Sequence, residues 1–246
     1  MSTTDSGATH PWPHGSDEAS ALSRVDTWLP TLLSVIAGMV DLIGFLTLGN
    51  IFTAHITGNL VVLAAVLVRG GPLNLAQALA IPVFILAIAA IWLLAGASGR
   101  RGPRLARLLL LVQFLLLAGV LIFSVVTNPS ASPHGLMAGI AVMIAVSAMA
   151  CQYALLRLAV PGALSTAVMT GNLTNTVLSL LDTLSPTQPL MEGASERLKR
   201  SLHLLFGFLV GCVVAAAAVS LLGDWAWSFP VALAGVAVLL RWEFQA

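Results

Sequence analysis

The chain has 246 residues, 58% of them hydrophobic and 9% charged, with a mean hydropathy of +0.97. A water-soluble domain carries about a quarter charged residues, so an ordinary soluble enzyme is excluded. The formal net charge of +1, from 11 Lys and Arg against 10 Asp and Glu, leaves no basic face for a row of phosphates, and no nucleic-acid partner is expected.

Residues 1–28 are polar, contain Pro11 and Pro13, and mix Asp5, Asp17, Glu18 and Asp26 with a single Arg24. A secretory signal starts with a basic stretch followed by an apolar core. This segment instead has the composition of a disordered tail. Apolar runs follow at 29–48, 51–68, 75–97, 105–126, 135–158, 166–181, 201–222 and 229–241. In lipid, backbone amides must be satisfied within the segment, which makes each run a helix and the fold class an all-α polytopic membrane protein. Breakers separate the runs: Gly70-Gly71-Pro72, residues 99–103 and 128–133, Pro161-Gly162, and Pro186 with Pro189. Trp225, Trp227 and Trp242 read as interfacial anchors. Cys151 and Cys212 lie far apart inside apolar runs, lipid-facing or packed, without the spacing of a metal or redox site.

The chain repeats itself. Thr53-Ala54-His55-Ile56-Thr57-Gly58-Asn59-Leu60 and Thr166-Ala167-Val168-Met169-Thr170-Gly171-Asn172-Leu173 agree at six of eight positions, each near the start of the second apolar run of its half. This self-similarity divides the chain into a first membrane repeat, 29–127, a linker, 128–134, a second repeat, 135–241, and a short tail, 242–246.

Gly38-Met39-Val40-Asp41-Leu42-Ile43-Gly44-Phe45 with the 52–60 stretch, and Gln152-Tyr153-Ala154-Leu155-Leu156-Arg157 with 165–173, resemble the paired signatures of the YoaK-like bacterial inner-membrane proteins. The resemblance spans nearly everything after the tail. It implies a bacterial inner-membrane location and brings no activity with it. That family usually reads Gln-Asn-Ala where this chain has Gln152-Tyr153-Ala154, at the position that pairs with Asp41 across the repeat.

Charge distribution discriminates between topologies. With eight crossings and the amino terminus inside, six basic residues fall inside and five outside. If the two Thr-Gly-Asn segments instead dip in and return on the same side, leaving six crossings, only Arg69 of the 11 lies outside. The positive-inside rule favours the second arrangement, with both termini cytoplasmic. Length agrees: residues 60–68 and 173–181 after the motifs make about 14 Å of helix each, half of a hydrocarbon core. Three crossings per half put the halves in opposite orientations, an inverted repeat with two re-entrant or broken-helix segments. The alternative is an eight-span bundle in which Thr-Gly-Asn packs helices.

In the re-entrant arrangement Thr57 and Thr170 are N-caps, Gly58 and Gly171 allow close backbone approach, and Asn59 and Asn172 offer amide donors and an acceptor. Helix N-termini meeting at mid-membrane disfavour cations and suit an anion or a neutral hydrogen-bonding solute, which makes these six residues the candidate substrate site. The competing role for the two Asn is as staples holding the interface. Asp41 is the one acidic residue well inside an apolar run. A mid-membrane carboxylate costs roughly 2.5 to 3.5 kcal/mol and requires an interior position with a partner, so Asp41 is the leading candidate for proton or ion coupling. Its structural alternative is a hydrogen bond to the Thr-Gly-Asn loop or to Arg157. His55, with only Val168 opposite it in the repeat, is a second candidate proton carrier. Gln152, Arg157 and the sole tyrosine, Tyr153, are supporting residues, with an Asp41–Tyr153 pair across the repeat axis and Arg157 snorkelling to the cytoplasmic face. Gln113 reads as a packing bond. The clusters Arg100-Arg101-Arg104-Arg107 and Arg197-Lys199-Arg200 suit topology and anionic lipid.

These features point to a membrane permease or channel for a small solute, in contact with the lipid bilayer and able to form a homo-oligomer, without metal or cofactor. Two alternatives stand beside it. One is a non-transporting scaffold or accessory subunit with the motifs as staples. The other is an intramembrane enzyme using His55 and Asp41, which ranks last because no third catalytic group accompanies them.

Overall fold

The structure, a computed structural model, describes residues 15–70, 74–160, 162–184 and 193–243. Among these the helices are α1 (Gly15–Thr47), α2 (Ile56–Arg69), α3 (Leu75–Ser98), α4 (Gly102–Thr127), α5 (Leu136–Ala159), α6 (Met169–Leu184), α7 (Ala194–Leu222) and α8 (Ser228–Glu243), with 3-10 turns at Pro129–Ala131 and Gly223–Trp227. No strand occurs among the described residues. Residues 1–14, Gly71, Pro72, Pro161, Pro186, Pro189, residues 244–246 and the side chain of Trp242 lie outside them.

Five stretches are long and apolar enough to cross a membrane: Trp28–Thr47 within α1, then α3, α4 and α5, and Ala194–Arg241, which runs through α7, the second 3-10 turn and α8. Their outer faces carry large apolar side chains such as Leu86, Trp92, Ile122 and Leu221, as a helix bundle solvated by lipid requires. The interior is built from small residues. On α5, Ala138, Ala141, Ala145 and Ala148 are fully buried, so neighbouring backbones approach closely and van der Waals contact replaces a hydrophobic driving force that lipid does not supply.

α1 packs on α7, α5 on α3 and α4, α7 on α6, α3 on α2, and α8 on α4 and α1; α1 also meets α5. The α1–α7 crossing is the tightest. A Cβ on Gly38 would overlap the carbonyl oxygen of Phe208, and one on Gly211 would overlap that of Val35. Gly207 and Gly211 form a small-xxx-small pair facing α1.

Several sequence expectations are corrected here. Helix α1 begins at Gly15, so residues 15–28 continue a helix where an irregular tail is expected, and α7 begins at Ala194 and takes in Arg197, Lys199 and Arg200. Trp227 is fully buried beneath the second 3-10 turn instead of anchoring at an interface, whereas Trp225 is exposed. The chain leaves α1 through consecutive left-handed residues, Gly49 (φ +84°) and Asn50 (φ +59°), which turn it back toward the bundle. A side chain at Gly49 would also strike the carbonyl oxygen of Pro133.

Candidate functional site

The site forms where α1 gives way to α2. Between Thr47 and Ile56 the chain is irregular, and its amides, deep in an apolar bundle, need acceptors. Asp41, one and a half turns before the end of α1 and buried, supplies them. Its Oδ1 accepts the N–H groups of Thr53 (2.8 Å), Ala54 (2.7 Å) and, at longer range, His55 (3.4 Å). Thr53 returns its hydroxyl to the Val40 carbonyl at 3.0 Å. Oδ2 meets His55 Nδ1 at 2.7 Å. With Asp41 ionised, Oδ2 accepts and the imidazole proton lies on Nδ1; with Asp41 protonated at Oδ2, its hydroxyl donates to Nδ1 instead. The Asp41 side chain is 7% exposed and that of His55 29%, so the pair communicates with its surroundings through the imidazole. The imidazole stands edge-on to Phe208 of α7, with ring centroids 5.2 Å apart.

Asn59 completes the break from the other side. Its Oδ1 accepts the Phe52 N–H at 3.0 Å and its Nδ2 donates to the Phe52 carbonyl at 2.7 Å. In the second half, Asn172 Nδ2 donates to the carbonyl of Ser165 at 2.9 Å. Phe52 and Ser165 each lie seven residues before their Asn, so both breaks use the same clamp.

Adjacent residues of α5 connect the two breaks. The Tyr153 hydroxyl donates to the Ala54 carbonyl at 2.8 Å, and Gln152 Nε2 donates to Thr166 Oγ1 at 3.1 Å and to the Leu33 carbonyl at 2.9 Å. Gln113 Nε2 donates to Gln152 Oε1 at 2.7 Å, the packing bond its apolar surroundings suggest. Asp41 and Tyr153 do not bond each other; they hold opposite ends of one residue, Ala54, at its N–H and its C=O. Arg157 is exposed near the end of α5 and is not among the partners of Asp41. Cys151 donates to the Leu109 carbonyl at 3.2 Å and Cys212 to that of Gly38 at 3.6 Å, so both thiols are packing elements.

The N-cap role expected of Thr57 and Thr170 does not occur. α2 starts at Ile56 with His55 at its N-cap, α6 starts at Met169, and both threonines are exposed within the first turn. The cause is that Asp41 and Asn59 satisfy the amides ahead of α2, which lets the helix begin upstream of the Thr. Gly58 and Gly171 serve close approach within their own break. A Cβ would press on the Phe52 ring at 3.0 Å and on Val168 Cγ1 at 3.1 Å. Thr53, Ala54 and Phe52 contribute through their backbones, which no side-chain chemistry advertises; the one signal is that Thr53 and Thr166 open the repeated octapeptide. Among the described residues no three His, Cys, Asp or Glu side chains gather as a metal site. What the arrangement offers is a carboxylate–imidazole pair able to hold or pass a proton, set on a segment whose amides depend on that carboxylate.

The family model described as "Protein of unknown function (DUF1275)" matches residues 29–240. The chain is also similar to the UPF0700 transmembrane protein YoaK of Bacillus subtilis (strain 168), at 57% identity over 35 residues, which are 14% of this chain and 16% of that protein. No solved structure matches.

Proposed function

This chain belongs to the DUF1275 family, and from that premise we propose that it is a proton-coupled permease for a small anion or neutral polar solute. In this reading α1, α3, α4, α5, α7 and α8 cross the bacterial inner membrane, α2 and α6 are half-helices, and both termini are cytoplasmic. α2 has 14 residues, short of the roughly 20 a crossing requires; α6 and α8 have 16 each, but α8 continues directly from the five-residue 3-10 turn Gly223–Trp227, which lengthens it toward a crossing. Exchange of the two halves turns the α1–α7 contact into α5–α3, α6–α7 into α2–α3, and α4–α5 into α8–α1, while α4–α8 and α1–α5 map onto themselves. That closure under exchange supports a two-fold-related pair of halves, parallel or inverted; the odd number of crossings per half in this reading makes them inverted.

The observation that carries the proposal is the Asp41–His55 pair at the helix break. An intramembrane carboxylate is expensive and is functional by default. Protonation of Asp41 turns a charged acceptor into a neutral one and weakens its hold on the amides of Thr53 and Ala54, because hydrogen bonds to an ionised acceptor are about twice as strong. Those N–H groups, together with Gly58 and Asn59 and, from the other half, Gly171 and Asn172, then become available to a solute. Proton uptake and solute uptake are thereby linked, with His55 as the entry point for the proton. Thr57 and Thr170 lie at the edge of the site. Gln152 and Tyr153 position the two breaks, and Arg157 faces the cytoplasmic headgroups.

The reading is tested in proteoliposomes screened with small anions, organic acids and neutral polar solutes. Flux of the accepted solute is expected to depend on pH. In Asp41→Asn the protein remains folded and that dependence disappears. Flux of unchanged pH dependence in Asp41→Asn removes the pair from the mechanism.

One observation favours a second reading, a non-transporting scaffold. Both Asn amides are engaged by their own break, as staples require. For a scaffold, no solute in the screen moves faster than in empty liposomes.

A further inference from the structure

A cavity of about 670 Å³ lies between α2, the start of α3 and the start of α5; it shares Gly49 and Asn50 with the segment that joins α1 to α2 but is not lined by Asp41 or His55. Ligand sites typically occupy about 300–1,000 Å³. The cavity is polar at one end. Asn50, Asn74, Gln77 and His134 reach it from the turn after α1, the head of α3 and the segment before α5. One to two turns further along the helices it is apolar, with Leu79 on α3 and Ile140 and Met143 on α5. Val62 and Val66, one helical turn apart on α2, supply the third wall. From Gly135 to Met143 the apolar part runs about 12 Å along α5.

The polar end has hydrogen-bonding capacity to offer. Gln77 is only 4% exposed and lines the cavity, and its side-chain amide is not among the fully buried groups left without a partner, so it keeps its access to the cavity. Buried polar side chains normally have a partner. The neighbouring Asn74 caps α3, its Oδ1 accepting the Ala76 N–H at 3.1 Å, and its Nδ2 has only distant acceptors, Gly49 O at 3.4 Å and His134 Nδ1 at 3.5 Å. The Gln77 amide and the weakly held Asn74 Nδ2 thus stand at the polar end, and no Asp, Glu, Lys or Arg is among the described residues that line the cavity. The mouth is the reverse: Leu75, Leu79, Leu136 and Ile140 line the cavity and are exposed on the outer surface of the bundle, so its walls run into the lipid-facing exterior.

We infer that this cavity binds a single-chain amphiphile with an uncharged, hydroxyl- or carbonyl-bearing head. The head hydrogen-bonds to Gln77 and Asn74 at the level where α3 and α5 begin, and the chain lies along Val62, Val66 and Met143. The absence of Lys and Arg from the lining sets it apart from a site for anionic phospholipid, which recruits basic side chains. Asp41 and His55 are not part of it, so it stands whether or not the protein transports a solute.

The test uses the full chain in phosphatidylcholine nanodiscs doped with 1-monooleoylglycerol, with bound lipid counted by native mass spectrometry after gentle release. The wild type is expected to retain one monooleoylglycerol, which phosphatidylglycerol at equal mole fraction does not displace. Gln77→Leu, which removes the head's partner, lowers the affinity roughly tenfold, as loss of one buried hydrogen bond does. Val66→Trp, which fills the chain channel, abolishes retention. Equal retention in both variants, displacement by phosphatidylglycerol, or occupancy by water alone overturns the inference. Should Gln77→Leu fail to fold, Gln77→Cys is labelled with a maleimide in vesicles: monooleoylglycerol is expected to slow labelling, and an unchanged rate overturns the proposal.

Discussion

The two helix breaks solve one problem with different chemistry. Ahead of α2, the exposed amides of Thr53 and Ala54 go to an ionisable acceptor, Asp41, which also holds His55. Ahead of α6, the break is secured by neutral groups: Gln152 binds Thr166, the Ser165 hydroxyl accepts the Ala167 N–H at 3.2 Å, and Asn172 clamps Ser165. The clamp seven residues back is common to both. A duplicated segment has thus kept its geometry in both halves while carrying titratable chemistry in only one. The neutral break shows that the geometry alone needs no charge.

The largest expected contrast is between the two anchors. Asp41→Ala strands the Thr53 and Ala54 amides and the His55 imidazole, and is expected to cost about 3–5 kcal/mol, the range for breaking a buried charged pair. Gln152→Leu keeps the volume and loses neutral bonds only, at about 1–3 kcal/mol. Denaturant unfolding in detergent micelles ranks the two, and the reverse order would mean that the neutral break is the structural keystone. A finer contrast follows from the clamps. Asn59 makes two bonds to Phe52 and Asn172 one to Ser165, so Asn59→Ala should lose about 2 kcal/mol and Asn172→Ala about 1. Equal losses would show that the long contact of Asn172 Nδ2 to Met169 Sδ, at 3.9 Å, contributes as much as the bond that Asn59 has in addition. Smallest of all, Thr57→Ala and Thr170→Ala should stay within about 0.5 kcal/mol of the wild type, as exposed substitutions do. A drop near 1 kcal/mol in the same unfolding measurement would restore the capping role.

Much of this was legible in the residues themselves. Asp41 stands out because an isolated acid in an apolar run must face the interior and find a partner; the partner was not legible, since Arg157, Tyr153 and the loop were all within plausible reach and only packing selects among them. The repeated Thr-Ala-x-x-Thr-Gly-Asn-Leu octapeptide located both breaks. It misassigned the Thr hydroxyls as caps, because capping rules are local and the acceptor that serves the amides ahead of α2, Asp41, sits sixteen residues upstream of Thr57. Gln77 gave no signal at all: one glutamine at the head of an apolar run is unremarkable until the ends of α3 and α5 leave it facing a cavity.

By itself the sequence determined that this chain is helical, that it belongs in a membrane, that one octapeptide recurs in it, and where the helices next to that octapeptide are interrupted. Those properties depend on hydropathy and spacing along short windows, which lipid reads segment by segment. Tertiary structure alone decided that Asp41 holds the amides of residues 53–55, that Gln152 and Tyr153 each take a different break, and that α1 lies against α7 through Gly38 and Gly211. Each of these joins groups 12 to more than 100 residues apart, and such a pairing follows from how the helices cross and not from anything written beside either partner.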